Sequence, residues 1–363
     1  MRYAMILAGG SGVRLWPMSR ARQPKQLIPF LGGRSLLQVA ADRLEGLVPA
    51  ANRYICAAEK QRALILAGLP GWSSEQFLGE PMGRDTLNAV GFSAAVIAQS
   101  DPNAVIAVFT ADHLIEPQDE FRRIVGEAFD LVESNPNTLA TFGIAPVNAA
   151  TGYGYLQLGE PLSGSARRVV RFQEKPDLET ARNFLAAGPE RYLWNSGMFV
   201  WRADTLLDCI RRYEPTIHAA LMEIAAAWNG PGRLETLDRL YPQLKKISID
   251  YAVMEPASRD DSMQVAAVPM PLQWLDVGSW PSFAETCERD DHGNALAAKS
   301  ITLDASGNLL ASSDPGHLLA AVGCEDLIVI HTPDATMVCR KDRAEDIKKL
   351  HALLGERFGA EYL

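Results

Sequence analysis

The 363-residue sequence has no uninterrupted apolar run approaching the roughly 20 residues that span a bilayer. The apolar stretch from Tyr3 to Ala8 runs straight into glycines and is too short for a secretory leader, so a cytoplasmic protein without membrane attachment is expected. Cysteine is scarce. Five cysteines, widely spaced and with no CxxC pair, argue against a disulfide framework and against a zinc site. Net positive charge is also lacking: the formal net charge is −9, which disfavours nucleic acid as a partner. One stretch lacks the opposite sign. Residues 1–41 hold Arg2, Arg14, Arg20, Arg22, Lys25 and Arg34 and no Asp or Glu, a local +6 that leaves −15 on the rest. An acidic chain with one basic, glycine-rich end points to a local anion site. With 47% hydrophobic and 22% charged residues the composition is that of a folded globular protein.

The first 145 residues alternate short apolar runs with amphipathic stretches. Strands are expected over Tyr3–Ala8, Arg53–Ala58, Glu75–Gly79, Ala104–Thr110 and Thr138–Gly143. Helices are expected over Ser35–Val48, Glu59–Leu69, Thr86–Gln99 and Asp119–Ser134. This alternation predicts an α/β fold: a doubly wound, mostly parallel sheet whose ligands sit at the carboxyl ends of its strands. From Thr151 the pattern changes. The segments TGYGYLQL, VVRFQEKP and YLWNSGMFVW read as strands of an inserted or lid-like sheet, followed by helices over Asp204–Arg212 and Pro215–Trp228. Beyond about Asp291 short β segments are punctuated by Gly, Asn and Asp and end in a polar helix over Asp342–Arg357. Two domains are therefore expected, 1–290 and a small β-rich one over 291–363.

The strongest local signal is LAGGSGVRLWPMSRARQPKQ, residues 7–26, where a buried strand opens into Gly9, Gly10, Ser11 and Gly12. Glycines let the backbone approach a phosphate and aim several N–H groups at it, with Arg14 and Lys25 as cations within reach. Read alone, the same residues could be a tight βα turn with solvated basic side chains. Two familiar phosphate motifs are excluded by spelling. No GK[ST] closes a P-loop, and Leu15 stands where a dinucleotide fingerprint needs its third glycine, which disposes of an NAD-dependent dehydrogenase.

The spelling G-G-S-G-x-R-L-x-P-x-S-R…P-K-Q resembles the nucleotidyltransferases that activate sugar 1-phosphates. The tryptophan of RLWP and the PKQ ending resemble the mannose-1-phosphate guanylyltransferases among them. The resemblance continues, in order, through EPMGRDT (80–86), FTADH (109–113), TGYGY (151–155), FQEKP (172–176), WNSGMF (194–199), SIDYAVME (248–255) and WLDVGSW (274–280). Val13 and Gln173 depart from the usual Thr and Val, and neither change removes a charge. The resemblance implies a Rossmann-like catalytic domain with a β-helix-like appendage, and it implies nucleotidyl transfer. A sugar-phosphate oxygen would attack the α-phosphorus of a nucleoside triphosphate and pyrophosphate would leave, here with GTP and mannose 1-phosphate as substrates. Such an enzyme needs no protein nucleophile. It must hold two anions in line and neutralise the charge that develops on the leaving group.

Arg14 suits bidentate phosphate binding and Lys25 a point charge near the α-phosphate. Asp112 ends the apolar strand AVIAVFTA, where a Mg²⁺ ion would need a carboxylate, although a helix N-cap is its plainer reading. The resemblance supplies Asp276 as the second metal ligand, facing Asp112; His113 is given a supporting hydrogen-bonding role. Nucleotide contacts are assigned to Leu7, Ala8, Gly9, Gly10, Ser11, Gly12, Glu80, Arg84, Asp85 and Thr86. Guanine offers N1–H and N2–H₂ donors side by side, which the Glu80 carboxylate can accept; relatives that use thymidine or uridine nucleotides carry Gln at the similar place. The sugar phosphate is assigned to Gly152, Tyr153, Glu174, Lys175, Asn195 and Gly197, with Tyr153, Trp194 and Trp201 better suited to packing than to stacking on a sugar.

Alternatives remain open from the sequence. A heptose or glucose 1-phosphate would need the same machinery. A nucleotide-sugar-binding regulatory subunit would not need Arg14, Lys25, Asp112 and Asp276 together. About 70 residues of C-terminal β structure are too few for the isomerase domain that some relatives carry, so a single activity is expected, with a homodimer as the assembly.

Overall fold

A computed structural model describes residues 1–10, 12–29 and 33–363. The chain divides into two compact units: Met1–Gly9, Ala40–Ala111 and Ile115–Trp274 form the first, and Gly10–Val39, Asp112–Leu114 and Leu275–Leu363 the second. No helix among the described residues is long and apolar enough to cross a membrane.

In chain order the strands that reach residue 276 are β1 (Arg2–Leu7), β2 (Arg53–Ala58), β3 (Phe77–Glu80), β4 (Val105–Thr110), β5 (His113–Glu116), β6 (Thr138–Ile144), β7 (Tyr155–Pro161), β8 (Arg167–Gln173), β9 (Tyr192–Arg202), β10 (Gln264–Pro269) and β11 (Gln273–Asp276). The first unit is built on a nine-stranded sheet in the order β3-β2-β1-β4-β9-β6-β10-β8-β7. Strands β1 to β4 are mutually parallel, and β6 and β10 are parallel to each other. Strand β9 runs against β4, β6 and β7, and β8 runs against β10 and β7, so all but β8 and β9 point one way. The runs in β1 and β4 are buried almost end to end because helices cover both faces. Helix Thr86–Ser100 is mostly apolar and buried from Leu87 to Ile97, whereas Gln118–Ser134 is amphipathic and buries Phe121, Ile124, Val125, Ala128 and Phe129.

One expectation is corrected. The segments over 155–202 do not form a separate lid-like sheet; they join the main one, with β9 at its centre between β4 and β6. Alternation in a sequence reports which faces are buried and is silent about which strand lies alongside. The eleven residues of β9 are buried on both faces, the mark of a central strand. The sequence reading also passed over the four-residue strands β5 and β11.

In the second unit, β12 (Ala295–Ala297), β14 (Leu309–Ser312) and β16 (Leu327–Thr332) stack in parallel, as do β13 (Ser300–Leu303) and β15 (Leu319–Val322), while β17 (Ala335–Arg340) closes antiparallel on β16. This is a small solenoid of β turns. A buried asparagine ladder holds its corners: Asn294 Oδ1 accepts from Asn308 N and Nδ2, and Asn308 Oδ1 accepts from Leu327 N. Leu15, Trp16, Trp280, Phe283, Leu309, Ile328 and Ile330 share one core, and Trp280 Nε1 donates to the Trp16 carbonyl at 2.9 Å. The chain then forms the helix Ile347–Phe358.

Candidate functional site

Three segments of the second unit, distant in sequence, bring their charged side chains together. The glycine-rich turn supplies the first. Gly10 and Gly12 have φ of +105° and +61°, which side-chain-bearing residues rarely adopt. A Cβ on Gly12 would lie 2.4 Å from Ser19 Oγ and 2.8 Å from Lys25 Cβ, so only glycine lets Lys25 lie against this turn. Lys25 follows Pro24 in a short 3₁₀ turn, and its Nζ makes a close ion pair with Asp112 Oδ2. Both are largely buried, 12% and 20% exposed.

Asp112 is the second segment, two residues beyond the end of β4. Its carbonyl accepts from Val277 N at 3.0 Å, which draws the third segment alongside. Asp112, His113 and Asp276 thereby bring one ligand atom each within 4.8 Å of the others and could hold a metal ion. Burial works to raise the Asp112 carboxyl, but Lys25 and His113 outweigh it and hold the group below the usual carboxylate range. Asp276 moves the other way, raised by burial and then by the negative charge of Asp112. Two acids that repel each other around one lysine leave negative charge for which a cation is the natural partner. Arg14 Nη1 donates to Glu345 Oε1 at 3.0 Å. Its Nη2 and Asp276 Oδ1 fill the space a Cβ on Gly278 would enter, at 2.9 and 3.0 Å. Arg14, Lys25, Asp112 and Asp276 are thus brought together. Ser11 lies outside the described residues.

The first unit holds two further groups. Glu174, buried, pairs closely with Lys175 Nζ, and its backbone N donates to Glu255 Oε1 at 2.9 Å. Lys175 sits at φ +44°, a left-handed conformation uncommon for a residue with a side chain. Asn195, buried in β9, donates from Nδ2 to Asp250 Oδ1 at 2.9 Å and accepts at Oδ1 from Thr141 Oγ1 at 2.7 Å. Asp250 opens the π-helical turn Asp250–Met254, and burial and the Glu174 charge push its carboxyl up to about 7. Gly154 matters as well: a Cβ there would lie 2.6 Å from Glu174 Oε2. Gly197 has φ +71°, and open space surrounds Gly152. Tyr153 packs on Trp194 and Trp274, and Trp201 stacks on Phe199 in the core, in keeping with packing roles.

Glu80 ends β3 as a buried acid rather than a surface one. It accepts a short hydrogen bond from Tyr241 Oη; burial raises its carboxyl and that bond opposes the rise. Arg84 donates to the Pro242 carbonyl, Asp85 caps the helix by accepting from Thr86 N at 2.8 Å, and Thr86 Oγ1 accepts from Ile249 N at 3.0 Å. These three therefore have structural partners. Leu7 ends β1, Ala8 N donates to the Cys56 carbonyl at 2.9 Å, and Gly9 has open space where a side chain would be. Asp250, Tyr241, Thr141, Gly154 and Glu255 were missed in the sequence. Asp250 and Glu255 lie in SIDYAVME, a block of the resemblance that could have pointed to them; nothing marked Tyr241 or Thr141.

Residues 3–292 match the nucleotidyl transferase family, and residues 298–353 match the mannose-phosphate isomerase/GMP-like β-helix domain. The chain is 36% identical over its full length to a mannose-1-phosphate guanylyltransferase of Klebsiella pneumoniae, 76% of which it covers. It is 37% identical over 95% of its length to the xanthan biosynthesis protein XanB of Xanthomonas campestris pv. campestris (strain B100), 72% of which is covered. Among solved structures, mannose-1-phosphate geranyltransferase from Thermus thermophilus superposes with a TM-score of 0.84 at 30% identity, covering 97% of this chain and 99% of that one. With a turn that cradles Lys25, a carboxylate pair beside it and these matches along its whole length, the chain belongs to the nucleotidyl transferase family, among the mannose-1-phosphate guanylyltransferases.

Proposed function

We propose that the chain transfers GMP from GTP to mannose 1-phosphate, giving GDP-mannose and pyrophosphate. A phosphate oxygen of the sugar 1-phosphate bonds to the α-phosphorus, the bond from that phosphorus to the bridging oxygen of the β-phosphate breaks, and pyrophosphate takes the electron pair. The observation that carries this reading is the convergence of Lys25 and Arg14 with Asp112 and Asp276 beside a left-handed glycine turn. Lys25 is the cation at the α-phosphate and Arg14 the one at the leaving pyrophosphate. The N–H groups of Gly9, Gly10 and Gly12 cradle the polyphosphate, and Leu7 and Ala8 present the nucleotide's edge of the strand.

Two carboxylates are hard oxygen donors of the kind Mg²⁺ prefers, so Asp112 and Asp276 are the residues that would hold it, with His113 as support. The ion, when bound, supplies positive charge to the phosphate oxygens. Glu80 accepts guanine's paired donors with the oxygen that Tyr241 leaves free, and Arg84, Asp85 and Thr86 hold the turn that frames it. Glu174, Asn195 and Lys175 take the hexose hydroxyls and phosphate, with Gly152, Tyr153 and Gly197 shaping the approach. Catalysis is assigned to residues 1–290 and support to 291–363. A cytoplasmic homodimer is the proposed assembly; Ile301, Leu303 and Val322 give one face of β13 and β15 the exposed apolar surface that self-association requires. Pyrophosphate release from mannose, glucose and heptose 1-phosphates, each offered with GTP, ATP, UTP and dTTP, tests the reading. GTP with mannose 1-phosphate should be the fastest pair, and a faster rate with any other pair would replace it.

A further inference from the structure

We propose that Asp250 is a positioning residue for the sugar: by accepting from Asn195 Nδ2 it fixes which edge of that amide donates and which accepts toward the substrate hydroxyls. The inference rests on the proposed role of Asn195 in sugar binding and concerns a residue outside it. A neutral amide in a buried strand can be turned over by 180° at little cost unless its neighbours tell nitrogen from oxygen. Thr141 cannot do so alone, since its hydroxyl can donate to Asn195 Oδ1 at 2.7 Å or turn its proton to the Met198 carbonyl at 3.0 Å and accept instead. An ionised Asp250 can: it only accepts, so it holds Nδ2 toward itself at 2.9 Å and forces Oδ1 toward Thr141. One N–H and one lone pair of Asn195 then remain, in a fixed order, for two neighbouring hydroxyls. Hydroxyls are donors and acceptors alike, so that order decides how a given arrangement of them is read.

The lock depends on charge. The ionisable groups that face Asp250 are Glu174 and Lys175, from the turn after β8, and Asp85, from the N-cap of helix Thr86–Ser100. Tyr251 lies beside Lys175, and Glu255 holds the Glu174 backbone. Burial and Glu174 raise the Asp250 carboxyl to about 7 against the pull of Lys175. Above that pH the acid is ionised and the amide has one orientation. Below it a protonated Asp250 can donate to Asn195 Oδ1, Thr141 can accept from Nδ2, and the amide is free to turn.

The test is the pH dependence of KM for mannose 1-phosphate and for GTP, between pH 6 and 8.5, in the wild type, Asp250→Asn and Thr141→Val, with melting temperatures recorded for each. At pH 8 Asp250→Asn should raise KM for mannose 1-phosphate about tenfold, the loss of one charge-assisted hydrogen bond, with kcat and the KM for GTP within about twofold. Wild-type KM for mannose 1-phosphate should climb several-fold from pH 8 to 6, beyond the effect of the substrate phosphate's own second ionisation near ~6, which every variant shares. Asp250→Asn should show only that shared part. Thr141→Val should raise the same KM while keeping the wild-type pH profile, and it carries the test with the wild type if Asp250→Asn fails to fold. A wild-type pH profile retained in Asp250→Asn, or a wild-type KM for GTP that climbs in step with that for mannose 1-phosphate, would overturn the inference. A wild type that turns over no sugar 1-phosphate would instead overturn the reading of function on which it rests.

Discussion

The cluster around Lys25 and the cluster around Lys175 use the same kinds of side chain in opposite balance. In the first, two cations and two acids meet, the lysine is packed against a glycine turn, and Asp112 is held below its ordinary titration range. In the second, Glu174 and Asp250 share one half-exposed lysine, and Asp250 is raised instead. On the proposed roles, the difference follows from what each cluster would bind. A polyphosphate is charged throughout and calls for charges that do not change, whereas a hexose is neutral and is read by hydrogen bonds whose direction matters. On these roles the ionised Asp112 beside Lys25 serves the reacting phosphates, and the adjustable charge of Asp250 serves recognition. Asp276, raised by burial and by Asp112, is the acid that a bound cation would bring down.

The comparison breaks most severely at Asp112. Asp112→Asn keeps the shape and removes the charge, and kcat should fall at least about 100-fold, the scale for losing one electrostatic partner of a transition state. Lys25→Ala should cost a similar factor. It should also melt several degrees below the wild type in chelator, because Asp112 and Asp276 then face each other without the lysine that now separates their charges. A variant of either kind with wild-type turnover would show that this cluster is structural, and the contrast between the two clusters would lose its meaning.

Much of the first cluster was legible. Glycines followed by an arginine and a lysine at the end of an apolar strand suit a phosphate site, although alone they read equally as a tight βα turn, and Asp112 at the tip of β4 stands where a doubly wound sheet places its ligands. Its closure by Asp276 was legible only through the resemblance, since no periodicity links residues 112 and 276. The sheet was legible where helices separate its strands, over β1 to β4 and β6. It was misread over β7 to β9, because strand pairing is a long-range choice that a local pattern does not encode. The second cluster was half legible. Glu174, Lys175 and Asn195 were legible through the FQEKP and WNSGMF blocks and their hydrogen-bonding capacity, whereas Asp250 opens a π-helical turn, and no spacing rule announces such a turn.

Glu80 sharpens the comparison from a third position, because it is buried like Asp250 yet assigned to a base. Glu80→Gln preserves an acceptor for Tyr241 Oη, so the fold should hold. With its one oxygen on Tyr241 Oη, the amide turns an N–H donor toward guanine's two donors, and the preference for GTP over ATP in kcat/KM should shrink by about 1–3 kcal/mol, the worth of a good base contact. Unchanged discrimination would take Glu80 out of the nucleotide site and leave it as a buried partner of Tyr241.

The smallest effect expected is also the most selective. Gly154→Ala adds one methyl group, whose carbon would lie 2.6 Å from Glu174 Oε2 and 3.2 Å from the Phe172 ring. Phe172 is fully buried and cannot yield, so the carboxylate of Glu174, the end of a flexible side chain, must move. Its ion pair with Lys175 moves with it, and the pair is what the sugar 1-phosphate is proposed to meet. KM for mannose 1-phosphate should therefore rise several-fold while the KM for GTP and the melting temperature change little, since Glu174 is assigned to the sugar and not to the nucleotide. Measuring both constants in one series decides the matter. An equal rise in both would mean that the two clusters do not act separately, and the division of labour between fixed and adjustable charge would have to be abandoned.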